Sequence, residues 1–496
     1  MNVAISGTGL ATAQGSTAEI LESKTPHSPT ELPWTPNKWN ASRICYPALD
    51  VDASLSGAGR WRALVRKAFA DLGEPVRDTP LLVASCNGDA SRNWEQAFDT
   101  SALLEGTPWA GKRLPVFSSS CASGIHALFA ARHLLTSGVA DQVLVLAADI
   151  LSQSNHENFE SLRVLAETPG PPWQSASQGF ILGETAVVLK LVRSENGEQL
   201  DGPELGSDLG DHNGLSSVIE ALSPRNSSLI LGQGTGPFQN DAAELAAFSA
   251  FVNKDTPLAT PLSYFGHTLG ASGLLAVALG ALTYKRQSIV ASLTSPASEA
   301  NDGRPFCRGG PPWPPVVSNQ DCAEDKGFGA TGGHGRPPLQ KILTTCRALN
   351  GACAATGVGG NFRARAQRRK GSWQKSVAPG PLMNETLKCL ASHALEHRPS
   401  DPPDVLILRL EEPLAPRVSA VIGDRLLPSA VLEITPGFAS QLIARCWGFT
   451  GPALCLAGDV DHDVYGLNSA LHASGLNVFQ VNLRGTGDKR VIDWNV

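Results

Sequence analysis

A chain of 496 residues, 42% hydrophobic and 17% charged, is long enough for two or three domains or one large α/β domain with an appendage. Its formal net charge of -6 gives no electrostatic case for nucleic acid as the main partner. The ten cysteines are scattered, with no C-x-x-C pair and no metal-like cluster, so free thiols in a reducing compartment are expected, and no metal or other cofactor.

The N-terminus carries no charged segment ahead of an apolar run, which argues against a signal peptide. "NVAISGTGL" reads as a buried strand entering a glycine-rich turn, and residues 78–89 repeat that shape. Residues 114–150 form the clearest unit: the strand-like "LPVFSSS", the helical "CASGIHALFAARHLLTSG" and the apolar strand "DQVLVLAADI". Ile125, Leu128, Phe129 and His133 fall near helical spacing and Gly138 ends the helix, giving a β-α-β crossover with parallel pairing. A second such pattern follows. "SLILGQGTG" is a strand into a glycine turn, "DAAELAAFSAFV" a helix, and "GHTLGASGLLAVALGALTYKR" a loop entering an Ala/Gly-rich helix. The apolar part of that helix, residues 274–283, is about half the ~20 residues needed to cross a bilayer. A cytoplasmic protein with no membrane association is expected.

Residues 296–338 are rich in Pro and Gly. Residues 362–375, with six basic side chains, read as an exposed connector or as a docking strip for an acidic partner. The last ~100 residues echo residues 81–148 in their order of strand, turn, helix, glycine and apolar strand, with Gly458 or Asp459 where Cys121 would fall.

Cys121 lies in "SSSCASGIH", where a strand turns into a helix. The free N–H groups of such a helix start favour a thiolate and can hold an oxyanion, and the small neighbours admit a substrate. The alternative is a cysteine that serves as a small buried hydrophobe. His126, one turn further on, reads as a packing residue. Two distant segments bear on the choice: "FGHTLGASG", with His267 on a Gly-flanked loop, and "GQGTGPFQNDAAE", with Gln233, Thr235 and Glu244.

Together with "SSSCASG" and the run "GFILGETA" (Gly179, Phe180, Gly183, Glu184, Ala186), these segments resemble the signatures of the β-ketoacyl synthases over roughly residues 1–340. The resemblance implies a thiolase-like α/β fold of five α-β-α-β-α layers, here with an appended C-terminal α/β segment resembling part of a second synthase half. It implies a nucleophile-bearing half at 1–190, a second half at 191–355, a linker at 356–400 and a degenerate segment at 401–496. Cys121 matches the acyl-accepting cysteine and His267 the histidine that helps stabilise an enolate. Glu244 and Thr235 match supporting positions. Gln233 stands where the family carries histidine, and Leu262 where it usually carries lysine. The oxyanion-hole segment has two candidates, residues 326–333 with Phe328 and Gly329, or residues 351–361.

The resemblance implies a ketosynthase-type acyltransferase of fatty-acid or polyketide assembly that loads an acyl chain from an acyl carrier protein or coenzyme A thioester onto Cys121. The alternatives are a non-catalytic chain-length partner and a thiol hydrolase. A homodimer, a heterodimer with another synthase subunit or a pseudo-dimer is expected, and Cys121 is expected to be exposed at its strand end.

Overall fold

The computed structural model describes residues 2–23, 25–36, 41–73, 78–89, 97–170, 172–173, 179–209, 213–222, 226–236, 238–253, 256–290, 293, 338–348, 352–360, 385–410, 436–458, 464–484 and 491–495. Of their strands, Thr30–Glu31 and Ile44–Cys45 pair in a separate two-stranded sheet, and the other fourteen join in one sheet. Its first ten strands are β1 (Val3–Ala11), β2 (Leu81–Ala84), β3 (Val116–Phe117), β4 (Gln142–Asp149), β5 (Thr185–Arg193), β6 (Glu198–Ser207), β7 (Leu229–Leu231), β8 (Leu258–Ala259), β9 (Lys341–Arg347) and β10 (Ala352–Gly359). The last four are β11 (Val405–Leu410), β12 (Ala453–Ala457), β13 (Val478–Arg484) and β14 (Val491–Asn495). The spatial order is β8-β7-β9-β10-β6-β1-β5-β4-β2-β3-β12-β11-β13-β14.

That order contains one plan three times. β3-β2-β4-β5-β1 and β8-β7-β9-β10-β6 are the same five-strand arrangement, joined where β1 and β6 pair antiparallel. In both, the second strand lies parallel to its two neighbours and the fourth turns antiparallel. β12-β11-β13-β14 repeats the first four strands with the same directions. The sequence echo is therefore a structural repeat.

Two helices, α2 (Ser123–Thr136) and α5 (Ser272–Arg286), each touch strands of both five-strand units. Both are apolar almost all round, as a helix enclosed between two sheets must be. They meet at glycine: a Cβ on Gly124 would stand 2.8 Å from the Leu274 Cβ, and one on Gly273 2.6 Å from the Ile125 Cγ1. On one outer face lies α1 (Gly57–Leu72), burying Trp61, Leu64, Val65, Ala68 and Phe69 along one stripe. On the other lie α3 (Asn213–Ala221) and α4 (Phe238–Phe251). These are the five layers expected from the resemblance. No described helix is long and apolar enough to cross a membrane.

The third unit adds α6 (Glu385–Glu396), α7 (Pro436–Trp447) and α8 (Leu467–Ala473). β12 pairs antiparallel with β3, Leu456 opposite Phe117 and Ala457 opposite Val116, and the Ser118 N–H extends the ladder to the Cys455 carbonyl at 2.9 Å. α8 packs on α2, and Leu467, Ala470 and Leu471 join the main core. The expected boundaries shift accordingly. β10 runs to Gly359, past 355, and α6 gives the end of the expected linker to the C-terminal unit, because its buried Leu390, Ala391 and Ala394 pack with β11 and α7. The basic run at 362–375 and Asp459 lie outside the described residues.

α7 begins against the cysteine turn. A Cβ on Gly437 would fall 2.5 Å from the Ser118 carbonyl oxygen and 2.6 Å from the Ser119 Cα, both backbone atoms. Gly437→Ala is expected to cost about 1–3 kcal/mol in chemical denaturation, because the turn or the helix must move. Gly59→Ala is the control: its Cβ, in the first turn of α1, would meet only Leu55 Cδ2, at 3.8 Å, and the change should be neutral or stabilising. Equal effects at the two positions would contradict this packing.

Candidate functional site

The chain leaves β3 through Ser118 and Ser119, turns at Ser120 with φ 56, passes through a 3-10 turn at Ser120–Ala122 and enters α2. A non-glycine residue in the left-handed region at a strand-to-helix junction is held there only by strong surroundings. Ser123 provides part of the hold: its hydroxyl donates to the Ser120 carbonyl at 2.5 Å and accepts from the Ser119 N–H at 2.9 Å.

Cys121 is 2% exposed. The expected exposure at the strand end is thus corrected. The turn is enclosed by α7, by the second half's helix-entry turn and by the end of β9, none of which is adjacent in sequence. His126, also buried, has both ring nitrogens without a partner among the described residues, and burial pushes its pKa down to about 3. It is a neutral packing residue.

The second half builds the same turn. Leu269 has φ 52, the 3-10 turn is Leu269–Ala271 and α5 follows, so that Gly270 stands where Cys121 stands in the first half. His267 precedes this turn, and the two turns pack on each other. The ring of His267 stacks on Phe180, with centroids 4.5 Å apart. Its Nδ1 faces the Leu269 N–H at 3.2 Å and accepts, which places the proton of the neutral ring on Nε2. Burial pushes the His267 pKa down to about 4, so at neutral pH the ring is an uncharged N–H donor.

Gln233 follows β7 and is held on every side. Its N–H donates to Glu244 Oε1 at 2.8 Å, and its carbonyl accepts from Thr260 Oγ1 at 2.6 Å. In its side chain, Oε1 accepts from the Arg347 N–H at 2.9 Å and Nε2 donates to Cys346 Sγ at 3.2 Å. Glu244, also buried, accepts in addition from the Gly234 N–H, Trp173 Nε1 and Thr345 Oγ1. Thr235 bonds to Asp241, which further accepts from the Gly236 and Trp173 N–H groups. Burial, then the nearby Glu244 charge, raises the Asp241 pKa to about 7.

Three groups here were not singled out in the sequence. Asp149, the charge that ends the apolar run of β4, accepts from Ser85 Oγ, the Cys86 and Asn87 N–H groups and the Gly270 N–H. Burial outweighs those bonds and raises its pKa to about 6. Asp241 offered the signal of an acid in the first turn of a helix beside a Gly-Thr-Gly turn. Cys346, directly after the strand-like "KILTT", donates to the Cys121 carbonyl oxygen at 3.2 Å.

Phe328 and Gly329 lie outside the described residues. The other oxyanion candidate, residues 351–361, is not a loop: 352–359 form β10, buried throughout and paired on both edges by β9 and β6. The strand end that reaches the cysteine turn is Cys346 of β9. Leu262 lies with Tyr46, Pro169, Phe180, Gly234 and Thr260 in a cleft that carries no charged side chain among its described lining residues. Phe180 and Gly234 connect this cleft to His267 and Gln233. Among the described residues, the group that could hold a metal ion is His393, Glu396 and His397, at the end of α6, and it shares no residue with this site.

The family model described as "Beta-ketoacyl synthase, N-terminal domain" matches residues 115–196, and that described as "Beta-ketoacyl synthase, C-terminal domain" matches residues 219–295. The chain is 25% identical over 279 residues to a highly reducing polyketide synthase, PKS2, of Leptosphaeria maculans, covering 49% of this chain and 11% of that protein. It spans about half or less of the length of the curated relatives it matches. A β-ketoacyl synthase structure from Burkholderia phymatum STM815 superposes with a TM-score of 0.53 at 19% identity, over 73% of this chain and 100% of that one. A structure titled "PfaC Keto synthase-Chain length factor" superposes with a TM-score of 0.64 at 12% identity, over 97% of this chain and 74% of that one. With the two family matches in order along the chain and the doubled five-strand plan beneath them, residues 115–196 and 219–295 carry the two domains of the β-ketoacyl synthase family.

Proposed function

We propose that this member of a condensing-enzyme family is a ketosynthase-type acyltransferase of polyketide or fatty-acid synthesis, and that Cys121 takes an acyl chain from a carrier-protein or coenzyme A thioester. The observation that carries the reading is the position of Cys121 on a strained turn at the start of a buried helix, against a second turn bearing a neutral histidine N–H. In loading, the Cys121 thiol gives its proton to solvent and the thiolate attacks the thioester carbonyl. A new carbon–sulfur bond forms, the thioester's own carbon–sulfur bond breaks, and the carrier or coenzyme A thiolate leaves and takes up a proton from solvent. The start of α2 favours the thiolate. The His267 Nε2–H suits an oxygen on which negative charge develops. The uncharged cleft beside Phe180 and Gly234 is the proposed approach for an acyl thioester.

Elongation makes a further demand. Decarboxylating a malonyl thioester produces an enolate, and an amide cannot exchange protons near pH 7. The Gln233 amide is also occupied at both ends by Arg347 and Cys346. The proposal is therefore loading and transfer with slow decarboxylation. The burial of Cys121 favours a second reading, a non-catalytic chain-length partner. The partner subunit expected from the sequence is, in this proposal, the chain's own C-terminal unit, which occupies the β3 edge.

Incubation with an acyl thioester should add one acyl group to the intact protein, and Cys121→Ala should abolish the addition. Acylation that persists in that variant would refute the assignment, and no acylation from any thioester would favour the non-catalytic reading. Carbon dioxide release from a malonyl carrier protein should be slow and should rise in Gln233→His, by up to about 10²–10⁴-fold. Fast release by the unmodified protein, lost in Gln233→Ala, would overturn the non-elongating proposal.

The pH profile of loading provides a separate check. With its pKa depressed to about 4, His267 stays neutral from about pH 5 upward, so the profile should have no limb near the ordinary histidine value of ~6.5. A limb near pH 6.5 that disappears in His267→Gln would contradict this assignment.

A further inference from the structure

The two halves can be overlaid by their strand registers. Ala84 pairs with Ala147 at the end of β2, and Leu231 pairs with Thr344 at the end of β7. Two residues beyond Ala84 and Leu231 come Cys86 and Gln233. Two residues beyond Ala147 and Thr344 come Asp149 and Cys346. The helix-entry turns add Gly270, after Leu269 with φ 52, and Cys121, after Ser120 with φ 56.

Asp149 shows what its station does. It receives the Cys86 N–H at 3.0 Å and the Gly270 N–H at 2.8 Å, tying the loop after β2 to the helix-entry turn of the other half. Cys346 makes the same connection in the opposite sense. Its sulfur receives Gln233 Nε2–H at 3.2 Å, and its S–H donates to the Cys121 carbonyl at 3.2 Å. From these equivalent contacts we propose that Cys346 is a positioning residue for the nucleophile, pinning the Cys121 turn to Gln233 as Asp149 pins the Gly270 turn to the Cys86 loop. The proposal deepens the loading reading and rests on it for its functional meaning.

The residue types fit the two tasks. A carboxylate is acceptable at the Gly270 station, where there is no nucleophile. Beside Cys121 a carboxylate would oppose formation of the thiolate. A thiol makes both hydrogen bonds and brings no charge. Burial pushes the Cys346 thiol well above its usual range, so near neutral pH it is an S–H donor. Arg347 fixes the strand end on which Cys346 sits, through its pair with Asp208 at 2.9 Å and its bond to Asn240 Oδ1 at 2.9 Å. Gln233 then has a positioning role too, since its side-chain contacts lead to Cys346 and Arg347.

The test compares the full chain with Cys346→Ala, which removes the pin, and Cys346→Ser, whose hydroxyl can accept from Gln233 and donate to Cys121. The first readout is the rate of iodoacetamide alkylation at Cys121, located by peptide mass across pH 6–9. The second is the rate of acylation from acetyl-coenzyme A by intact mass. Cys346→Ala is expected to slow both by about three- to tenfold, the value of one or two neutral hydrogen bonds. In the acylation arm the loss should fall on the maximal rate rather than on the half-saturating concentration, and Cys346→Ser should restore the unmodified rates. Unchanged rates in Cys346→Ala, or a serine variant as slow as the alanine one, would overturn the proposal. If the unmodified chain alkylates at Cys121 but does not load, the loading reading fails and the alkylation arm still decides the role of Cys346. If Cys121 neither loads nor alkylates, both fall.

Discussion

The close crossing of α2 and α5 is the constraint on which the rest of the structure depends. Two enclosed helices can approach this tightly only with glycine at the contact, and Gly124 and Gly273 supply it from the two halves. Gly124 and Gly273 are the second residues of their helices, directly after the 3-10 turns, so the crossing also sets the positions of Cys121 and Gly270. The left-handed residues Ser120 and Leu269 are the local consequence, because each strand must reverse sharply to reach its helix. Once the two turns are in contact, the strand ends at Asp149 and Cys346 have defined groups to tie together. The turn that carries Cys121 in one half thus packs on the turn that follows His267 in the other.

The C-terminal unit applies the same economy at the outer edge. A two-residue strand such as β3 would leave a sheet edge open, and an open edge invites pairing with another chain. β12 closes it antiparallel, in the manner of a two-fold contact between like units, with four strands of the plan among the described residues. The unit is joined to the main core through α8 and to the cysteine turn through Gly437, so it is built into the architecture around the site. Its helix α7 is one of the elements that enclose Cys121, with β9 and the second half's helix-entry turn.

Much of this was legible in the sequence because it is local. The βαβ unit at 114–150 declares itself through apolar runs and glycines, and "SSSCASG", "FGHTLG" and "GQGTG" each occupy a single turn. The C-terminal echo was legible for the same reason, as a repeated order of strand, turn and helix. The groups that were missed act over long sequence distances: Cys346 meets Cys121 across 225 positions, and Asp149 meets Gly270 across 121. Neither contact has a spacing that a linear pattern could reveal. The burial of Cys121 was missed on the same ground, since α7 and β9 reach it from far along the chain. The segment at 351–361, one of the two oxyanion-loop candidates, misled differently, since its residues 352–359 form a strand. Its glycines and alanines are small because β10 lies between two strands and under packed helices, a requirement that mimics a glycine-rich loop.

The central claim is that the chain's own C-terminal unit closes the β3 edge beside the cysteine turn. The most direct measurement is sedimentation of the full chain over a wide concentration range, with hydrogen exchange of residues 116–123 followed under the same conditions. The account predicts a single species at the monomer mass of 52.1 kDa in which those amides are protected at every concentration. Protection that appears only as a dimer of twice that mass forms would contradict it, because the edge would then be closed by a second copy.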